Sequence, residues 1–328
     1  MMRRNATTRS KRYWGAKADF GLFSTWNCPE ATMQTAQDMI SKQEDVLIKA
    51  SAGLAGGIVS CGSTCGVVSG GALSLALMHD QELLRDGLEA EIGLLSVVGD
   101  YVNWFNKKYG TTACRERTGV DFWTLGGIVR YIIPPDRMLR CLWHINGAMQ
   151  YLHDMQGYDL PMVESVSTET NTHPIHCAQR VLEEVRKRTG IGDPLLEKVS
   201  IVLDGGIGLQ GGACGALAGA VMAINVPIGI NLRDASILEA LIAFFSGHKY
   251  LRSTDINEMD DPYAVGKRIV ERFRKDAESI DCSAITGETF SDWASFHRHV
   301  SSSDTCRRLI DLSINEATLA IEQCQRVH

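Results

Sequence analysis

The chain has 328 residues, 45% hydrophobic and 22% charged, with a formal net charge of −6. That length permits two domains of ordinary size, each with its own core. An acidic balance with only 7% aromatic residues excludes a nucleic-acid binder, which needs a basic face and stacking platforms.

In chain order, the basic segment from Arg3 to Lys17 reads as a solvated arm over residues 1–20. No apolar run with a small-residue cleavage site follows these charges, so the expected location is cytoplasmic. Ten cysteines in that compartment point to metal or thiol chemistry rather than disulfides.

Asn27 can cap a helix whose first turn holds Cys28, Pro29 and Glu30. A helix from about Val46 follows, then a turn at Gly56 and Gly57, then a small-residue helix from about Thr64 to Met78. Gln81 to Lys108 carries apolar residues at helical spacing. Thr111 or Thr112 can cap a short helix with Cys114, and Pro134-Pro135 precedes one with Cys141.

Residues beyond about 173 repeat this order. Cys28 and Cys65 are 37 positions apart, as are Cys177 and Cys214. The same shift lays Lys49, Ser51, Gly56, Gly57, Gly66 and Gly70 on Lys198, Ser200, Gly205, Gly206, Gly215 and Gly219. Cys114 with Phe122 then matches Cys282 with Phe290 at a larger offset, so about 19 residues are inserted in the second copy, placed at about 231–262. Cys141 and Cys306 complete four cysteines per copy, which leaves Cys61 and Cys324 unmatched and expected to be dispensable.

These signals predict an all-α protein of two tandem helical-bundle repeats forming a pseudo-dimer, with copies at 21–158 and 173–328 and a polar linker at 159–172. The uncharged stretches Ala50–Met78 and Gly205–Leu232 are read as buried central helices rather than membrane spans, because glycines break both.

Several of the repeated cysteines fall at predicted helix N-termini, where free amides and the helix dipole favour thiolate. Gly66 and Gly70, like Gly215 and Gly219, are four apart and share one helix face. Glycine inside a helix costs about 1 kcal/mol relative to alanine. Something must therefore approach the backbone there, either a cofactor or another helix. His173, His176 and His144 have no histidine in the matching copy. The first two are read as surface residues, and His144 as a packed or partly exposed helix residue. No Ser-His-Asp order, phosphate loop or paired-carboxylate signature is present, which excludes an independent hydrolase or nucleotide enzyme.

The pattern resembles the redox-active protein family named for its C-GCAxxG-C-C cysteines. Copy two carries it as Cys177, then Cys214-Gly215-Ala216-Leu217-Ala218-Gly219, then Cys282 and Cys306. Copy one carries Cys28, then Cys65-Gly66-Val67-Val68-Ser69-Gly70, then Cys114 and Cys141, departing at Val67 and by the added Cys61. The resemblance implies an iron-sulfur or thiol redox role, as an oxidoreductase or an electron-transfer component with a redox partner protein, and a homo-oligomer is compatible with it. Four soft ligands per copy suit an iron-sulfur cluster. A metal-free thiol-disulfide protein, a structural zinc site and cysteines that only pack stay open as alternatives. No Cys-x-x-Cys-His is present, so c-type haem is not expected.

Overall fold

The structure, a computed structural model, describes residues 9–161, 175–233, 235–252 and 261–327. Among them it is helical throughout, with no strand beyond two isolated bridges, Thr64 to Ala113 and Ala213 to Asp281. Copy one runs α1 (Lys11–Thr25), α2 (Cys28–Ile40), α3 (Asp45–Ser51), α4 (Gly66–Met78), α5 (Asp80–Arg85), α6 (Leu88–Tyr109), α7 (Cys114–Thr118), α8 (Leu125–Ile132) and α9 (Asp136–Asp154). Copy two runs α10 (Cys177–Thr189), α11 (Pro194–Val199), α12 (Gly215–Ile228), α13 (Ile237–Arg252), α14 (Pro262–Ala277), α15 (Cys282–Thr286), α16 (Trp293–Ser302) and α17 (Asp304–Val327). The duplication is thus a duplication of helices, with α4 and α12 as the equivalent centres.

Local chemistry explains the starts. Asn27 caps α2 by accepting the Glu30 amide, with proline in the first turn, and Asp193 and Asp261 cap α11 and α14 in the same way. The expected cap at Thr111 or Thr112 is instead Ala113, whose own amide donates to Thr111 Oγ1. The apolar stretch Gln81–Lys108 is two helices, because Gly87 at φ 57° breaks it before α6. α4 and α12 are apolar or small on all sides, as helices surrounded by protein are. No helix among the described residues is long and apolar enough to cross a membrane.

The loops that lead into the central helices repeat at the level of backbone angles. Gly56, Gly57, Ile58 and Ser60 have φ of 63, 80, 60 and 59°, and Gly205, Gly206, Ile207 and Leu209 have 57, 80, 67 and 65°. Such a left-handed run is rare for non-glycine residues and rarest for β-branched ones such as Ile58 and Ile207. Matching backbone bonds hold it, including Gly62 N to Gly56 O at 3.0 Å and Gly211 N to Gly205 O at 2.8 Å.

Two expectations need correction. Residues 11–20 do not form a solvated arm: they belong to α1, which packs on α9 and buries Trp14, Ala18 and Leu22. Charges at Lys11, Arg12 and Lys17 occupy its outer face, so composition alone concealed an apolar stripe. The copies also do not have separate cores: one continuous core includes Met33, Leu73, Val98, Leu203, Val221 and Phe273 from both. Gly53 explains part of that closeness, since a Cβ there would overlap the Asn225 and Val221 side chains of the other copy. The insertion expected at about 231–262 holds the sixteen-residue α13, which takes the place of the six-residue α5 and reaches across to pack on α1 of copy one. Most of the proposed linker, and His173 with it, lies outside the described residues, as do residues 253–260 of the insertion.

Candidate functional site

Each copy gathers its four matched cysteines around one chamber. Cys28, Cys65, Cys114 and Cys141 line the first, of about 600 Å³ including its mouth. Cys177, Cys214, Cys282 and Cys306 line the second, of about 410 Å³. Cys61 and Cys324 line neither; the Cys61 thiol donates to the Gly57 carbonyl at 3.2 Å. None of the eight repeated cysteines is in a disulfide. No group of three or more His, Cys, Asp or Glu among the described residues is drawn together to the spacing of one metal ion.

Two devices bring the sulfurs together. The first joins the second and third cysteines by short backbone pairing. Cys65 N donates to Thr112 O at 2.8 Å and Cys114 N to Ser63 O at 2.7 Å. Cys214 N to Ile280 O and Cys282 N to Gly212 O repeat the pair at 2.8 and 2.6 Å. The second device is glycine. A Cβ on Gly66 would stand 2.6 Å from Cys28 Sγ and from Pro29 Cδ, and one on Gly70 2.8 Å from Pro29 O. In copy two, a Cβ on Gly215 would meet Cys177 Cβ at 3.2 Å and Leu203 O at 2.9 Å, and one on Gly219 would meet Ala178 O at 2.8 Å. The space beside these four glycines is therefore filled by the neighbouring helix, α2 or α10, and that contact sets the first cysteine beside the second.

Alanine normally stabilises a helix relative to glycine by about 1 kcal/mol. Gly66→Ala should reverse that sign, because the new methyl overlaps the Cys28 sulfur and a proline ring. Gly215→Ala should destabilise too, because its methyl would stand 2.9 Å from the Leu203 carbonyl, a backbone atom with little freedom to move. Urea denaturation of the two variants tests this, and a midpoint at or above the parent's in either would contradict it.

The cysteines do sit at helix starts: Cys28, Cys114, Cys177 and Cys282 open their helices, and Cys65 and Cys214 are caps. Cys141 is instead inside α9. The thiolate expected from helix N-termini is nevertheless overturned by burial. Burial, then the neighbouring Cys65 and Cys141, push the Cys28 thiol well up. Cys114 rises for the same reasons, against the pull of Arg117. Cys141 is pushed up to about 12, chiefly by burial, although Tyr131 hydrogen-bonds it. Burial and then Asp204 raise Cys177, and burial raises Cys214 to about 11 despite two helix-start amides. Cys282 and Cys306 move upward too, again chiefly by burial. Unligated, these groups are protonated at neutral pH.

The walls differ between copies. Chamber one contains the buried Arg117, whose Nη1 donates to Thr111 O at 2.7 Å and whose Nη2 meets His144 Nε2. His144 is buried and held neutral, its pKa lowered to about 3 by burial and then by Arg117. Phe244 and His248 of the inserted α13, with Tyr263 of α14, close this chamber from the other copy. Ile285 stands in copy two where Arg117 stands in copy one, and the charge beside chamber two is Asp204. Asp204 Oδ1 accepts the Cys177 amide at 2.8 Å and Oδ2 meets His176 Nδ1 at 2.6 Å.

His176 is thus not a surface residue: it is 4% exposed and lies between Asp204 and Glu91, whose Oε2 is 3.2 Å from Nε2. Its pKa is lifted to about 10, because the two carboxylates outweigh the effect of burial. Sequence comparison of the copies did not reveal it, since its counterpart is Asn27 and the counterpart of Asp204 is Ala55. Arg117 and Tyr131 gave no signal either. Phe122 and Phe290 did, as a matched pair, and each lines its own chamber.

A profile of the family described as "Putative redox-active protein (C_GCAxxG_C_C)" matches the chain twice, over residues 26–155 and 175–318. No curated protein and no solved structure matches. The two matches enclose all eight repeated cysteines and cover most of the chain, one on each helical repeat. The chain accordingly belongs to the C-GCAxxG-C-C family of redox-active proteins, in tandem duplicate.

Proposed function

We propose that the four cysteines of each chamber hold an iron-sulfur cluster and that the protein carries electrons to or from a partner protein. The observation that carries this reading is the convergence, twice in one chain, of four thiols from four separate elements on one enclosed space. A single zinc ion would need all four sulfurs at about 2.3 Å from one point. A cluster spreads its ligands over a frame of several atoms, which suits four sulfurs lining one cavity. When bound, the cluster would supply reversible one-electron transfer. The protein's own part is to exclude water and fix the local charge.

Anaerobic purification followed by iron, acid-labile sulfide and visible-absorption measurements tests the proposal. Iron and sulfide together, in amounts that match two centres per chain, are the expected result. Zinc alone, or no sulfide, would overturn it. Thiol-disulfide exchange is the second reading, favoured by the paired backbone bonds that set Cys65 beside Cys114 and Cys214 beside Cys282. Upward-shifted thiols attack slowly, which counts against it.

The walls predict unequal potentials. Arg117 stabilises the more negative, reduced state in copy one, whereas in copy two no such cation lines the chamber and Asp204 is paired with His176. Redox titration should resolve two waves, with Arg117→Met lowering the upper one and narrowing the gap. A single wave unmoved by that substitution would refute the assignment.

A further inference from the structure

A second cavity adjoins chamber one and is used by nothing described so far. It is partly open to solvent beside Ile230, which is 46% exposed. It shares Trp26, Ala55, Phe244 and Tyr263 with the cysteine chamber. Two polar atoms of its lining residues, Trp26 Nε1 and Glu30 Oε2, are buried without a hydrogen-bond partner among the described residues. Glu30 is 0% exposed, and its other oxygen accepts the Leu232 amide at 2.5 Å, so the carboxyl is fixed with one oxygen unused. An unsatisfied buried polar group is costly to leave unpaired, and two in one cavity point to a ligand that satisfies both.

The feature belongs to copy one only. Ile175 and Gln179 occupy the matching positions of copy two, and Gln179 bonds Glu183. The cavity exists because the inserted α13 leans on α1, bringing Phe244 to 5.2 Å from the Trp26 ring.

We propose that this cavity binds a compact, neutral aromatic molecule bearing a hydroxyl group, of the phenol or quinol class, with its oxygen between Trp26 Nε1 and Glu30 Oε2. A hydroxyl can accept from the indole N–H while donating to the carboxyl oxygen, so one group satisfies both orphans. The ring meets Trp26, Phe244 and Tyr263, at edge or face, in a lining that would desolvate a charged ligand at high cost. The inference does not depend on what the cysteines hold.

The test is calorimetric or NMR titration of the full chain with phenol and with toluene, which has a ring of similar size and no oxygen. Phenol should bind saturably with one site per chain, at least tenfold more tightly than toluene. Trp26→Phe keeps a ring and removes the N–H, and should weaken phenol about tenfold while leaving toluene unchanged. Ala243→Phe fills this cavity without lining the cysteine chamber, and should abolish both. No saturable phenol binding, phenol no tighter than toluene, or binding retained in Ala243→Phe would each overturn the proposal. The comparison of phenol with toluene needs no variant, so it decides the matter even if a variant fails to fold. Iron measured on the same samples reports separately on the cysteine chambers.

Discussion

Cys65→Ser or Cys214→Ser should halve the iron and sulfide carried by the chain, and the double variant should carry neither. These two positions are the strongest choices because each caps the central helix of its copy and is tied by backbone bonds to the strand-like bridge that bears the third cysteine. Serine keeps the shape and removes the soft donor that iron-sulfur ligation requires. The backbone bonds survive the change, so folding should be preserved and the loss read as loss of ligation. Cys61→Ser is the matched control: it is buried and only four residues from Cys65, yet it bonds the Gly57 carbonyl and lines no chamber. Its iron content should equal that of the parent. Full iron and sulfide in the double variant would remove Cys65 and Cys214 from the ligand set.

Glu91→Gln is expected to cost about 3–5 kcal/mol of folding stability, the range for removing one partner from a buried ion-pair network. Glu91 lies on α6 of copy one, and its partners, His176 at 3.2 Å and Lys198 at 2.6 Å, belong to copy two, with Asp204 completing the group beyond His176. Losing the carboxylate removes the partner of Lys198 and leaves His176 with Asp204 alone at the seam between the copies. The pH dependence has a definite sign. Burial alone would raise the Glu91 pKa, but the bonds from His176 and Lys198 prevail and hold it at about 2, below its ordinary 4.5. A depressed carboxylate contributes stability that is complete above pH 4.5 and is lost as pH falls toward 2. Asp204, raised by complete burial, acts in the opposite sense, so it does not produce that acid limb. Urea midpoints at neutral pH and an acid titration of both proteins check the claim. An unchanged midpoint, or an acid limb as steep in Glu91→Gln as in the parent, would contradict it.

Much of the site was legible because duplication supplied an internal comparison. Cysteines that recur at a fixed spacing are distinguished from Cys61 and Cys324, which do not, and the chambers divide the ten in the same way. The paired glycines likewise announced a close approach, although only coordinates showed that α2 and α10 make it. The signal failed where the copies diverge. Arg117, His176 and Asp204 each face a different residue in the other copy, so comparison gave them no weight, yet they set the charge at the chambers. Helix starts do not make these cysteines thiolates for another reason: capping is local, whereas desolvation depends on every element packed around the sulfur.

By itself the sequence determined the helical repeat, its copy number, the order of cysteines and the residues small enough for helices to touch, because these follow from spacing and side-chain size. Only the tertiary structure decided that the copies share one core, that α13 of the second copy closes the first chamber and opens a cavity beside it, and that a buried charge network crosses between them. Those are contacts between residues far apart in the chain, and their partners are chosen by packing, on which local pattern is silent.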